Sequence, residues 1–437
     1  MKKVIKNKIM NDFQYLNRLF RDYYRGKRTN LPLVNSFNER EFGFIPWDTQ
    51  TRMIRHMGFS NRENLMKNLF NNGPRHVYSS GALYSQPENQ DMEGKGFQGC
   101  DLIIDIDADH FYTPCKEDHD FWICKECGKS GAGMVDSCPS CKKSKFKTLT
   151  WICEKCLDIA KNEIVKLIYD FLIPDFGIDL NHIRIAFSGH RGYHLKIENE
   201  EIRSLSSDER RELADYIAGE NISFEILGFQ AKGGTFYRFS KDTIGWAQKI
   251  LQKTVEILNK TDTEIINLLS NNEKFNFTQS YIKSFINSKH DFLNKIKETK
   301  RLILPSIEGF GKANWSKFFT GVVDEIGVEI DTPVTVDIHR LIRYPGSLHG
   351  KTGFKVQEIS LDEIDDFNPL DERNEQLDPI VFESKVQTTQ KLEILELNVP
   401  ATKIKGIEFG PYSKGELIEV PHHIAIFLLC KEVAKSI

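Results

Sequence analysis

Apolar and polar positions change their period several times along the chain, and each change marks a candidate element. Over residues 11–25 and 63–70 the apolar positions recur every three or four residues, the spacing of one helix face. Both runs lie in a largely helical segment, 8–72, with a loop around 31–46. Residues 76–84 and 102–108 are rich in β-branched and aromatic side chains or alternate with period two, which predicts strands. A helix over 157–171 is followed by a strand at 183–187, a turn at 188–192 and a strand at 193–197. Ser206 and Ser207 offer an N-cap to a helix over 208–218. Helical periodicity and polar linkers then run to about residue 300. Strand character returns at 334–336 and 353–358, and the apolar run 424–430 is short enough for a core strand or helix.

This succession predicts an α/β (α+β) fold with a mixed sheet. Its core is drawn from residues 1–114, 157–200 and 301–437, interrupted by a cysteine-rich insertion at 115–156 and a helical subdomain at 201–300. A length of 437 residues suits two or three folding units on a prior of ~150 residues each. With 40% apolar and 28% charged residues the chain can bury an ordinary globular core. Its 59 Lys and Arg against 62 Asp and Glu leave a net charge of −3, so a nucleic-acid surface must be a local cationic one. The basic start is not followed by an apolar segment, and no run of ~18 apolar residues occurs, so a cytoplasmic protein without membrane contact is expected.

Chemistry enters with the stretch 104–109, where Ile104, Ile106 and Ala108 point one way and Asp105, Asp107 and Asp109 the other. Carboxylates so close repel one another unless cations compensate, and hard divalent ions such as Mg²⁺ or Mn²⁺ suit oxygen ligands. The plainer alternative is a solvated strand edge whose acids discourage aggregation. Between the strands at 183–187 and 193–197 stands Ser188-Gly-His190-Arg191-Gly-Tyr-His194. Its glycines allow close approach to a ligand, and Ser188, Arg191 and His194 offer a hydroxyl, a guanidinium fork and an imidazole suited to phosphate. A simple hairpin turn needs only the glycine. A third stretch, from Asp331 through Asp337, Arg340 and Arg343 to His349 and Lys351, mixes acids and cations. A Pro-Gly turn between Arg343 and His349 lets those two side chains fold back towards one site.

Of nine cysteines, seven lie between Cys115 and Cys156, while Cys100 and Cys430 stand apart. Cys124-x-x-Cys127 and Cys138-x-x-Cys141 flank ten residues, the pattern of a zinc ribbon with four thiolate ligands. Cys153-x-x-Cys156 needs two further ligands, and Cys115 and His119 are available for a second Zn²⁺. Complete four-ligand sites of this kind are structural. A redox pair would need a thioredoxin-like context, which the sequence lacks.

Asp-Ile-Asp, then Ser-Gly-x-Arg-Gly-x-His, then Asp-x-x-Val with Arg-Leu-Ile-Arg-x-Pro-Gly-Ser-Leu-His-Gly, in that order, resembles the catalytic small subunit of archaeal and eukaryotic DNA primases. The resemblance runs from about Arg40 to near Val420. It implies a primase-type core that makes short primers on single-stranded DNA from nucleoside triphosphates at the start of replication. It further implies a nucleoid-associated location and a primase large subunit as heterodimer partner. By the same resemblance Asp105, Asp107 and Asp331 bind the catalytic Mg²⁺ or Mn²⁺ ions. Asp331 is preferred to Asp337 because it lies eighteen residues before His349, the spacing kept in the family. Ser188, Arg191, His194, Arg343 and His349 then hold the triphosphate of the incoming nucleotide. Asp109 becomes a supporting or surface residue. His190 stands where eukaryotic relatives carry a second arginine, and Ser79 where they carry an acid near the sugar. Two rivals remain at this point: a repair polymerase or primase-polymerase of the same superfamily, and a non-catalytic zinc-ribbon nucleic-acid-binding protein. The second would have no need for acids and triphosphate ligands together.

Overall fold

The first helix, α1 (Lys2–Arg25), buries Leu16, Phe20 and Tyr24, one face at helical spacing. The structure is a computed structural model describing residues 2–26, 31–48, 52–111, 113–227, 238–240, 244–299, 301–305, 307–308, 310–384, 386 and 388–437. After α1 the chain departs from the helical expectation. Strands β1 (Phe42–Ile45) and β2 (Ile54–Met57) pair antiparallel before α2 (Arg62–Asn72). The run Phe-Gly-Phe-Ile is too short to fix a period by itself, so its partners decide its conformation. Asn61 caps α2, its Oδ1 accepting from the Asn64 N–H at 2.9 Å.

The strand expected at 76–84 is two, β3 (His76–Ser80) and β4 (Ala82–Tyr84), because each joins a different partner. Next come β5 (Phe97–Cys100), β6 (Leu102–Asp107), the short α3 (Lys116–His119), β7 (Phe121–Cys124), β8 (Ser130–Ala132) and β9 (Phe146–Leu149). The last three strands form their own sheet in the order β8-β7-β9, which is the cysteine-rich insertion. Helix α4 (Glu154–Lys166) leads to the hairpin of β10 (Ile183–Phe187) and β11 (Gly192–Ile197), as the sequence predicts.

Helices α5 (Glu200–Arg203) and α6 (Ser207–Ala218), strand β12 (Arg238–Ser240), and helices α7 (Gly245–Asn259), α8 (Asp262–Asn271) and α9 (Gln279–Thr299) follow. After β13 (Arg301–Ile303) and α10 (Lys312–Ile326), residues 332–336 form α11 (Thr332–Val336), where a strand was expected. The β-branched run there is overridden by its start: Asp331 caps the turn and Pro333 occupies its first positions. Strands β14 (Leu341–Arg343) and β15 (Gln357–Ile359) complete two four-stranded sheets, ordered β14-β3-β1-β2 and β15-β10-β11-β6. Every pairing in these two sheets is antiparallel, so the expected mixed sheet is an antiparallel one. The tight turn between β10 and β11 allows nothing else for that pair. Near the end, Thr389–Ile394 pairs with Leu417–Pro421 and Ala434–Ser436 around α12 (His422–Cys430). That helix is apolar on all sides because all of Ile424 to Cys430 is buried.

The chain divides into two compact units, one built from 1–165, 180–211 and 330–437, the other from 166–179 and 212–329. The second, largely helical, is wider than the 201–300 segment expected from periodicity. Its core gathers Phe275, Phe285, Trp315 and Phe318. Among the described residues no helix is long and apolar enough to cross a membrane.

Candidate active site

In the first unit β6 lies against β11 with Asp105 opposite His194 and Asp107 opposite Gly192. Period two sends Ile104 and Ile106 into the core, at 0% and 1% exposure, and leaves Asp105 and Asp107 half-buried on the other face. The His194 Nε2 stands 3.4 Å from Asp105 Oδ1. Asp331 comes from a distant part of the chain, yet its N–H donates to the Asp105 carbonyl at 3.0 Å. One Asp331 oxygen caps α11 and the other lies 3.7 Å from His110 Nδ1. Asp337 is exposed and accepts from the His339 N–H at 2.9 Å. Asp109 donates its N–H to Asp107 Oδ1 at 2.9 Å.

These acids disfavour one another's charge. Burial, then the neighbouring Asp331 carboxylate, pushes Asp105 up to about 6. Burial, then Asp109, raises Asp107 as well. The Asp105 Oδ1 is buried without a hydrogen-bond partner. Asp107, Asp109 and His190 form a further group with ligand atoms within 4.8 Å of one another. Such a concentration of oxygen donors suits a cation.

Gly192 is what lets β11 lie so close to the acidic strand. A Cβ built there would stand 2.3 Å from the Ile106 carbonyl oxygen and 2.7 Å from the Asp107 Cα. Both are main-chain atoms that cannot swing away. Gly192→Ala is therefore expected to cost about 1–3 kcal/mol, read as a lower unfolding midpoint in urea. A midpoint equal to that of the parent protein would contradict the close approach.

Opposite the acids lies a cationic side. The 188–192 turn closes when the Ser188 N–H donates to the Gly192 carbonyl at 2.9 Å, while Ser188 Oγ accepts from the His190 N–H at 3.3 Å. Gly189 has φ +82°, and an added Cβ would meet His349 Cβ at 2.6 Å, so the two turns are pressed together. The His349 ring stacks on His190 at 5.3 Å and meets His76 edge-on at 4.9 Å. Arg343 Nη1 donates to His76 Nδ1 at 2.7 Å, and Lys431 Nζ donates to His190 Nε2 at 2.7 Å. Burial, then the nearby cations, holds His76, His190 and His349 well below the usual histidine range. Burial, then Arg343, lowers His194 to about 3. The structure thus gathers Ser188, His194, Arg343 and His349, all expected from sequence.

Arg191 is placed differently. Its side chain is fully buried and Nη1 donates to both oxygens of Asp120, at 2.7 and 2.9 Å, and to the Trp151 carbonyl at 2.9 Å. Nη2 pairs with Asp109. The guanidinium is thus taken up by two carboxylates and a carbonyl, where the sequence suggested a phosphate partner. Asp120 in turn accepts from His119 Nδ1 at 2.8 Å and from the Trp151 N–H at 2.9 Å.

His119 belongs to one of two cysteine-containing quartets. Its Nε2 lies 3.5 Å from Cys156 Sγ, and Cys115 Sγ is 3.4 Å from Cys156 and 3.6 Å from Cys153. In the ribbon, Cys124 and Cys141 are 3.5 Å apart and Cys127 and Cys138 3.6 Å apart. Each quartet keeps its ligand atoms within 4.8 Å of one another. A tetrahedron of ~2.3 Å metal–sulfur bonds has edges of ~3.8 Å, so both quartets fit such a centre.

The family model described as DNA primase small subunit matches residues 146–360. The DNA primase small subunit PriS of Thermoplasma volcanium is 30% identical, over 96% of this chain and 98% of its own. That of Cenarchaeum symbiosum is 29% identical over 97% and 99%. The chain belongs to the DNA primase small subunit family. It is a DNA-directed, primer-synthesising nucleotidyltransferase with the mixed α/β architecture expected of such a subunit. A third relative, the small subunit of Archaeoglobus fulgidus, is 30% identical over 95% and 96%. The rival reading as a non-catalytic zinc-ribbon protein is set aside.

For this primase subunit, sequence reasoning named Lys351 only as one cation of its stretch and did not single out His76 or Lys431. His76 lies 267 positions from Arg343, so no local spacing links them. Lys431 closes an apolar helix and carries no motif of its own. Lys351 stands in the same short stretch as Arg343 and His349, where the density of cations is the signal that would find it.

Proposed function

We propose that this primase subunit copies a single-stranded DNA template into short primers from nucleoside triphosphates, initiating DNA replication by two-metal nucleotidyl transfer. The observation that carries the reading is the main-chain hydrogen bond from Asp331 to Asp105, which brings a third acid to the Asp105–Asp107 strand beside a cationic turn pair. An Asp105 Oδ1 that accepts no hydrogen bond and the mutual repulsion of the acids fit a hard divalent ion held by Asp105, Asp107 and Asp331. Mg²⁺ or Mn²⁺ bound there would lower the barrier to attack by a 3′-hydroxyl and neutralise charge on the α-phosphate. Arg343, His349, His194 and Ser188 bind and orient the triphosphate, and no side chain serves as nucleophile. Arg191 supports the turn from behind through Asp120 and Asp109.

Zn²⁺ suits both cysteine quartets by donor chemistry and spacing. The protein purified without chelators is expected to hold two zinc ions per chain by elemental analysis. Losing the ion of the Cys115, His119, Cys153 and Cys156 quartet should also expose the 115–156 region to protease. Zinc-free protein with unchanged protease resistance would exclude a structural zinc. A primase large subunit as partner, and a cytoplasmic location at the nucleoid, follow from the same proposal.

The direct test is primer synthesis on circular single-stranded DNA with ribo- or deoxynucleoside triphosphates and either metal, with and without the co-purified partner. Products of discrete short length support the reading. No incorporation under any of these conditions sinks it.

A further inference from the structure

We propose that Lys431, at the C-terminal end of α12, is a phosphate-binding residue of the active site, acting beside His190 and His349 on the triphosphate of the incoming nucleotide. The inference rests on the triphosphate reading of that site. Lys431 is the last structural element of the chain to reach the turn, and it arrives there from an otherwise apolar helix.

Three observations converge on it. Lys431 Nζ donates to the Thr150 carbonyl at 2.8 Å and to His190 Nε2 at 2.7 Å. An ammonium has three hydrogens, so one remains for a ligand. His190 is itself stacked on His349, so Nζ stands at the junction of the two turns. Second, the charges do not balance. Among the described residues, Arg191 pairs with Asp109 and Asp120, and Arg75 with Glu432, but no carboxylate lies within ion-pair distance of Arg343, Lys351 or Lys431. Burial, then Arg191 and Lys351, lowers Lys431 to about 7, with Asp109 and Asp120 opposing the shift more weakly. Third, the backbone fixes the position: the Lys431 N–H donates to the Phe427 carbonyl at 2.9 Å, so α12 sets the root of the side chain.

The competing account is a purely structural lysine. Nζ satisfies the Thr150 carbonyl and lies 5.8 Å from the Trp151 ring centroid and 5.9 Å from that of Phe427. A neutral donor would serve that carbonyl as well. Setting a cation among other cations makes physical sense where an anion completes the group, and a triphosphate supplies up to four negative charges (roughly, near neutral pH).

The test uses full-length Lys431→Met and Lys431→Arg proteins with inorganic tripolyphosphate as probe, by calorimetry, alongside steady-state nucleotide incorporation. Lys431→Met is expected to weaken tripolyphosphate binding about 10- to 100-fold, the loss of one charge-assisted hydrogen bond. It should raise KM for the nucleotide with a smaller change in kcat, and Lys431→Arg should restore most of both. Equal tripolyphosphate affinity in parent and Lys431→Met overturns the proposal. Should the Met protein not fold, acylation footprinting of the parent decides. Protection of Lys431 by tripolyphosphate supports the role, and no protection rejects it. A parent protein that incorporates nucleotides while the Lys431 result is negative removes only this residue. A parent that neither incorporates nucleotide nor binds tripolyphosphate removes the triphosphate reading as well.

Discussion

Asp107→Ala is expected to abolish template-directed incorporation, by on the order of a thousandfold, while leaving the protein folded. The two halves of that outcome have one cause. Asp107 is held half-buried on β6, opposite Gly192, where burial and Asp109 raise its pKa. A carboxyl whose folded pKa lies above its unfolded value is disfavoured in the ionised form, and that penalty is fully present at pH above the folded value. Deleting the side chain at neutral pH therefore removes a penalty, so the unfolding midpoint in metal-free buffer should hold or rise. Tripolyphosphate binding should persist, because the cationic turns are untouched. What disappears is the donor set that suits a divalent ion. A variant retaining a tenth or more of parental activity would sink the role of this strand.

Arg191→Met should act the other way, through stability first. Its guanidinium is buried between Asp120 and Asp109 and also binds the Trp151 carbonyl. Removing the guanidinium leaves Asp120 with only His119 and the Trp151 N–H and takes the partner from the partly exposed Asp109, a loss of about 3 kcal/mol. The expected result is a markedly lower unfolding midpoint, with weaker retention of the zinc proposed for the quartet holding His119, since Asp120 braces that imidazole. Arg191→Lys recovers only part, because a single ammonium cannot reproduce the fork. The alternative expectation, direct binding of triphosphate, predicts a raised KM and an unchanged midpoint. That pattern would overturn the strut.

The contrast between these two residues shows where sequence carries information. Alternation in residues 104–109 exposes the acidic face of β6 because a strand's period is two and the core takes one side. The C-x-x-C quartets are legible because metal ligation demands local spacing, and the β10–β11 hairpin because its turn needs glycine. Arg191 lies in a motif whose composition suggests phosphate, but composition does not say which way a guanidinium turns. Asp120 decides that, from 71 positions away. The strand-like run at 334–336 fails for a similar reason: the cap by Asp331 outweighs the intrinsic preference of its β-branched residues. His76 and Lys431 reach the site through sheet pairing and helix packing, which leave no trace in nearby sequence.

The bond between the Asp331 N–H and the Asp105 carbonyl also bears on the order in which the molecule matures. It joins residues separated by 226 positions, while the cysteine quartets close within 115–156. Closing a long loop costs chain entropy before its contacts reward it, so distant pairings form late. During synthesis the cysteine-rich insertion, with both quartets complete, can fold while most of the chain is still unmade. The third acid, the second turn and Lys431 arrive only with the final quarter. A nascent or prematurely ended chain would thus carry metal-binding competence without catalytic competence, which keeps incomplete subunits from starting strands.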